Sequence, residues 1–65
     1  MTADQFRELQ HLAIVTRDGT FAYRTPRALV TPLLRAGYVV ERAPKDEHYR
    51  VTAEGLRALE KEQAG

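Results

Sequence analysis

The chain has 65 residues, of which 43% are hydrophobic and 29% charged, and it contains no cysteine. This length allows one small domain, and the lack of thiols excludes disulfide bonds and thiolate metal sites. The sequence has neither an apolar run near the ~20 residues that span a membrane nor the pattern of a secretory signal, so we expect a cytoplasmic protein without membrane contact.

The charges are unevenly distributed along the chain. Residues 17–50 carry seven lysines and arginines against four acids, a net charge of +3, whereas the two flanks carry three against five, a net −2. A basic middle between acidic flanks is compatible with a nucleic-acid-binding face, and equally with a mixed solvated surface.

The first predicted element is a helix over residues 3–14. Thr2 can cap it, and Gln5 completes a capping box three residues later. Apolar residues follow at helical spacing: Phe6, Leu9, Leu12 and Ala13.

A turn and a short extended piece are predicted next. Asp18-Gly19 is a turn signal. Residues 16–23 have no helical period, and we expect residues 20–23 to form a short extended segment with its aromatic side chains on the core.

Thr25-Pro26 marks a second helix start, because threonine caps well and proline suits the first helical position. Gly37 supplies the stop. Pro32 lies between them and removes one backbone hydrogen bond, so the segment is either one kinked helix or two short helices over 25–30 and 32–36. Both alternatives contain the same apolar stripe, formed by Leu29, Val30, Leu33 and Leu34.

The last part of the chain predicts a β-hairpin and a helix. Residues 38–42 and 49–52 are rich in β-branched and aromatic residues, and the polar residues 43–48 connect them as a loop. Thr52 then caps a final helix that directs Leu56 and Leu59 inward and frays from residue 60. The hairpin must pack on the helices, because an isolated hairpin is not stable in water.

Two stretches carry a family resemblance. Residues 33–42, LLRAGYVVER, and residues 49–59, YRVTAEGLRAL, resemble the end of the recognition helix, the two wing strands and the following helix start of MarR-like and PadR-like bacterial regulators. These are winged-helix (winged helix-turn-helix) proteins, so the resemblance implies an α+β fold in the order helix, short strand, helix or helices, β-hairpin wing, helix. Gly55 in the last helix indicates close approach of another backbone, which we expect to be the first helix.

The chain departs from these regulators in two ways. Only residues 16–23 separate the first helix from Thr25, so the usual second helix is missing or cut short, and the additional helices used for dimerisation are lacking. A domain trimmed this far resembles small phage or mobile-element proteins, in which winged helices also bind proteins.

The resemblance implies that the third family helix enters the DNA major groove while the wing contacts the backbone or minor groove. By position, the helix would supply Arg24, Arg27, Thr31 and Arg35, the wing tip Lys45 and His48, and the strands Arg42 and Arg50.

No catalytic constellation is evident. His11 and His48 are too few and too separate to outline a metal site, and Asp46-Glu47 is typical of a solvated turn. Phosphate-binding glycine loops and nucleophile motifs are lacking, and so small a core leaves little room for a substrate pocket. We therefore expect a protein that is not an enzyme and uses no cofactor or metal.

Two hypotheses of different classes remain. The first is a DNA-binding module with a transcription-regulatory role, which binds double-stranded DNA as a monomer or a homodimer. The alternative is a phage-type adaptor or inhibitor that binds a host protein, which the low net charge and the acidic residues of the wing favour.

Overall fold

The computed structural model describes residues 1–23 and 27–64, with side chains described as far as residue 62. These residues form three helices and a three-stranded antiparallel sheet, which confirms the predicted α+β class. In chain order the elements are α1 (Ala3–Val15), β1 (Ala22–Tyr23), α2 (Arg27–Arg35), β2 (Val39–Glu41), β3 (His48–Val51) and α3 (Ala53–Ala64).

Helix α1 begins as predicted. The Thr2 side chain accepts a hydrogen bond from the Gln5 amide, and the Gln5 side chain accepts one from the Thr2 amide. These bonds satisfy two of the amides that a helix start leaves unpaired. At the other end, the buried Thr16 hydroxyl donates to the Leu12 carbonyl over 2.6 Å and accepts from the Val51 amide over 3.3 Å. One threonine therefore ends α1 and joins it to β3.

Helix α2 is continuous through Pro32, so the alternative of two short helices is wrong for the described residues. Pro32 donates no backbone hydrogen bond, but its carbonyl accepts one from Ala36 over 3.0 Å. Gly37, with a φ of +79°, ends the helix, and the Tyr38 amide bonds back to the Leu33 carbonyl. The predicted start at Thr25-Pro26 lies outside the described residues.

The sheet has the strand order β1-β3-β2, with both pairs antiparallel. Tyr49 in the central strand lies opposite Ala22 on one side and Glu41 on the other. Because side chains alternate along a strand, the inner face carries Ala22, Val39, Tyr49 and Val51, and the outer face carries Tyr23, Val40, His48 and Arg50. Residues 42–47 form the loop between β2 and β3, close to the predicted limits.

The core lies between the inner face of the sheet and the helices, and its buried hydrophobic residues are Leu9, Leu12, Val30, Leu33, Val39, Tyr49 and Leu59. Two predictions of inward side chains were wrong. Tyr23 is 57% exposed because side chains alternate along a strand and its neighbour Ala22 faces inward. Leu56 is 49% exposed because α3 directs Leu59 into the core instead.

The close backbone approach expected at Gly55 exists, but its neighbour is Tyr38 and not α1. A β-carbon at Gly55 would overlap the Tyr38 carbonyl oxygen and come within 2.9 Å of Val51 Cγ1. Thr52 holds this junction: its hydroxyl donates to the Gly37 carbonyl over 2.6 Å and accepts from the Gly55 amide over 3.1 Å. The predicted Thr52 cap is thus confirmed.

Helix α3 continues to Ala64, beyond the predicted fraying from residue 60. Across the described ranges 1–23 and 27–64, none of the helices has the length and apolar character needed to cross a membrane.

Candidate nucleic-acid interface

The exposed side of α2 carries three of the predicted contact residues. Arg27, Thr31 and Arg35 follow one another at intervals of four, so they lie along one side of the helix. Arg27 and Arg35 are exposed, and Thr31 is half-buried beside the core residue Val30. Arg24, the fourth predicted contact from this segment, lies outside the described residues.

The loop between β2 and β3 has a defined conformation held by its own polar groups. Lys45 and Glu47 adopt left-handed backbone angles, with φ values of 61° and 60°. The Glu47 amide donates to the Glu41 carboxylate over 2.7 Å, and the Asp46 amide donates to the Ala43 carbonyl over 3.1 Å. Lys45 is therefore presented at an exposed turn.

Arg42 is bound within the same loop. Its guanidinium donates two hydrogen bonds to the Asp46 carboxylate, Nε to Oδ2 over 2.7 Å and Nη2 to Oδ1 over 3.1 Å. These bonds lower the pKa of Asp46 and raise the pKa of Arg42. His48 closes the loop, with its Nδ1 atom 2.8 Å from the Asp46 carbonyl oxygen.

An ion pair joins α2 to the loop. Arg27 Nε donates to Glu47 Oε1 over 3.1 Å, and this hydrogen bond raises the pKa of Arg27. We call the exposed side of α2 together with the loop the helix–loop face, which carries Arg27, Thr31, Arg35, Lys45 and Glu47. Because the ion pair connects the two elements, they form one surface.

The remaining predicted contacts lie on the outer face of the sheet. The Arg50 guanidinium carbon stands 4.8 Å from the centre of the Phe21 ring, and its Nη1 donates to the Gly19 carbonyl over 3.3 Å. The His48 ring lies 5.4 Å from the Tyr23 ring, at an angle of 55°. In the part of the chain that the structure describes, no hydrogen bond or ion pair joins Arg50 or His48 to α2.

No family model, curated protein or solved structure matches this chain.

The electrostatics of the helix–loop face follow from these contacts. Arg35 and Lys45 have no carboxylate partner among the described residues, whereas Glu47 holds Arg27 and Asp46 holds Arg42. A surface of this kind can bind an anion through its unpaired cations, and through Arg27 once Glu47 releases it. Residues 1–23 and 27–64 contain no group of three or more residues placed to hold a metal ion.

The pairing of Arg27 with Glu47 was missed by the sequence reasoning, which treated Asp46-Glu47 as a solvated turn. The two residues are twenty positions apart and on different elements, so no local spacing reports their contact. The contact of Arg50 with Phe21 was missed for the same reason. The sequence of the loop does give one signal of ion pairing, because each of its acidic residues lies close along the chain to a basic residue predicted to contact DNA.

Proposed function

We propose that the chain is a non-catalytic DNA-binding module of the winged-helix type, in which α2 enters the major groove and the loop between β2 and β3 is the wing. One observation carries this proposal. Arg27 and Arg35 lie eight residues apart on the exposed side of α2, and Arg27 joins that side to the hairpin loop. The strand order β1-β3-β2, with α2 leading directly into the hairpin, is compatible with such a fold.

Each side chain has a distinct role in this proposal. Arg27 and Arg35 are eight residues apart, about 12 Å along the axis at 1.5 Å per residue, so α2 reaches more than one base pair or phosphate. Lys45 contacts the phosphate backbone from the wing. Thr31, between the two arginines, contacts a base edge or a phosphate oxygen. Bound at a specific site, the module would act as a transcription regulator in the cytoplasm.

The test is fluorescence anisotropy with a labelled random-sequence duplex at about 50 and about 200 mM salt, a range over which phosphate contacts lose most of their affinity. We expect measurable binding at the lower salt and a loss of at least about tenfold at the higher. Arg35→Ala should weaken binding about fivefold at the lower salt and reduce the salt slope by about one.

Arg57→Ala is the matched control, because it removes the same charge from an exposed arginine of α3 that pairs with Glu54. It should change the affinity less than twofold, on the order of its long-range charge effect alone. Equal losses for both variants would show that binding depends on overall charge and not on the helix–loop face.

A second function, binding of a host protein as an adaptor or inhibitor, is favoured by one specific observation. Glu47 and Asp46 neutralise Arg27 and Arg42, so much of the positive charge near the loop is already paired. Absence of duplex binding at the lower salt would favour this alternative, and affinity capture with the parent and a Glu47→Lys variant would then identify a partner that depends on the loop.

A further inference from the structure

A groove between α1 and α3 lies among residues with no part in the helix–loop face. It has a volume of about 390 Å³ and is lined by Gln10, Ala13, Ile14, Arg17, Leu56, Leu59 and Glu60. Leu59 and Ala13 form its floor, since they are packed in or against the core. Ile14 and Leu56 form its walls and are 63% and 49% exposed. Two large aliphatic side chains thus border one groove and remain in contact with water.

The groove carries opposite charges towards its two ends. A smaller neighbouring cavity is lined by Arg17 and Leu56 but not by Glu60 or Gln10, which places Arg17 at the Leu56 end. Glu60 lies one helical turn beyond Leu56, towards Gln10. Neither Arg17 nor Glu60 takes part in any ion pair that the structure describes.

An apolar groove with a cation at one end and an anion at the other is complementary to itself. A two-fold axis that crosses the groove at right angles to its length reverses the second copy, so the cation of each copy faces the anion of the other. The same operation brings the exposed aliphatic side chains of both copies together. A partner with a uniform charge would leave one end of the groove unpaired.

We propose that the groove between α1 and α3 is the interface of a homodimer. Ile14 and Leu56 of the two copies form its apolar centre, and Arg17 of each copy pairs with Glu60 of the other. We expect a weak association, with a dissociation constant in the micromolar range. The proposal does not depend on DNA binding, because self-association is measured on the protein alone.

Sedimentation velocity of the purified chain tests the proposal at concentrations from about 1 to about 300 µM, which span micromolar dissociation constants. The parent should convert from monomer to dimer over this range. Leu56→Glu should weaken the dimer at least about 100-fold, as expected for a charge at the centre of an interface. Val40→Glu places the same charge on an exposed valine of the outer sheet face and should leave dimerisation unchanged.

Charge exchange gives a second test that does not depend on the apolar centre. Arg17→Glu and Glu60→Lys should each weaken the dimer about tenfold, because each creates two like-charge contacts across the axis. The double variant restores both pairs and should return to within about threefold of the parent. A parent that stays monomeric at the highest concentration, or a double variant as weak as the single ones, would overturn the proposal and leave the groove to a different chain.

Discussion

Arg27 on α2 and Glu47 in the loop between β2 and β3 form an ion pair in which Nε lies 3.1 Å from the carboxylate oxygen. The pair holds the loop against the helix, and it also occupies one of the cations proposed to contact DNA. Glu47 therefore has two opposing effects. It holds the loop in place, and under the proposed function it would compete with a phosphate or base edge for the same guanidinium.

The first prediction concerns this competition. Glu47→Gln should raise the affinity for a DNA duplex about three- to tenfold at low salt, since it removes a negative charge from the helix–loop face and leaves Arg27 free. The plot of log affinity against log salt concentration should become steeper by about one. Anisotropy titrations at several salt concentrations measure both quantities.

Glu54→Gln serves as the control for the same titrations, because it removes an identical charge from the Glu54–Arg57 pair on α3. Its affinity should match that of the parent within about twofold. Weaker binding by Glu47→Gln would contradict the proposed role of Glu47 and would indicate that the position of the loop matters more than its charge.

The second prediction concerns the close approach of Gly55 to Tyr38. Gly55→Ala should lower the free energy of unfolding by about 2–3 kcal/mol, because its methyl group would overlap the Tyr38 carbonyl oxygen. Alanine has the higher helix propensity by about 1 kcal/mol, so propensity alone predicts the opposite sign. Urea unfolding followed by circular dichroism shows whether the overlap or the helix propensity decides the sign. Lys61→Ala, at an exposed position, is the control and should stay within about 0.5 kcal/mol of the parent.

The third prediction concerns the buried Thr16 hydroxyl. Thr16→Val keeps the shape of the side chain but leaves the Val51 amide without the acceptor that it has in the structure. An unsatisfied buried donor costs about 1–3 kcal/mol, and we expect a loss of stability in this range in urea unfolding. The same exchange at the exposed Thr20 should have a smaller effect, and equal losses at both sites would mean that the Val51 amide finds another partner.

The fourth prediction concerns alkaline pH. Burial raises the pKa of Tyr49 above its usual value of 10.0, and the nearby Glu41 carboxylate raises it further. The folded state therefore holds the phenolic proton more tightly than the unfolded chain does. The stability that the raised pKa of Tyr49 contributes is fully present below pH 10.0 and is lost as the pH rises through the folded-state pKa.

Thermal unfolding measured from neutral pH to above pH 10.0 tests this prediction. The parent should lose stability in the alkaline range, and Tyr49→Phe should lose less. The exposed Tyr23→Phe should follow the parent. Identical alkaline losses in the parent and Tyr49→Phe would assign the effect to other groups.

Features set by near neighbours in the chain were predictable from the sequence. The capping box of Thr2 and Gln5, the glycine stop at Gly37 and the cap at Thr52 each depend on residues within one helical turn. The hairpin was predicted for a similar reason, because composition separates its two strands from the polar loop. The α+β class followed from the order of these elements.

Features set by distant residues were not predictable from these patterns. Helical spacing places Leu56 and Leu59 on neighbouring sides of α3, but only packing against α1 and the sheet decides that Leu59 is buried and Leu56 is not. Pro32 left two alternatives open because its cost to a helix depends on how strongly neighbours such as Val30 and Leu33 are held in the core. For the candidate site, the sequence predicted the cations but not the carboxylates that bind two of them.

The Thr52 hydroxyl, bonded to both the Gly37 carbonyl and the Gly55 amide, has a consequence for hydrogen exchange. Helix α3 cannot separate from the end of α2 without breaking the bond from the Thr52 hydroxyl to the Gly37 carbonyl and the bond from the Thr52 amide to the Tyr38 carbonyl. The Thr52 amide should therefore exchange with solvent only when this junction opens, whereas the Gly55 amide can stay bonded to the Thr52 hydroxyl as part of the cap of α3. In native-state exchange, protection of the Thr52 amide would thus report how often α3 detaches from the end of α2 and the start of β2.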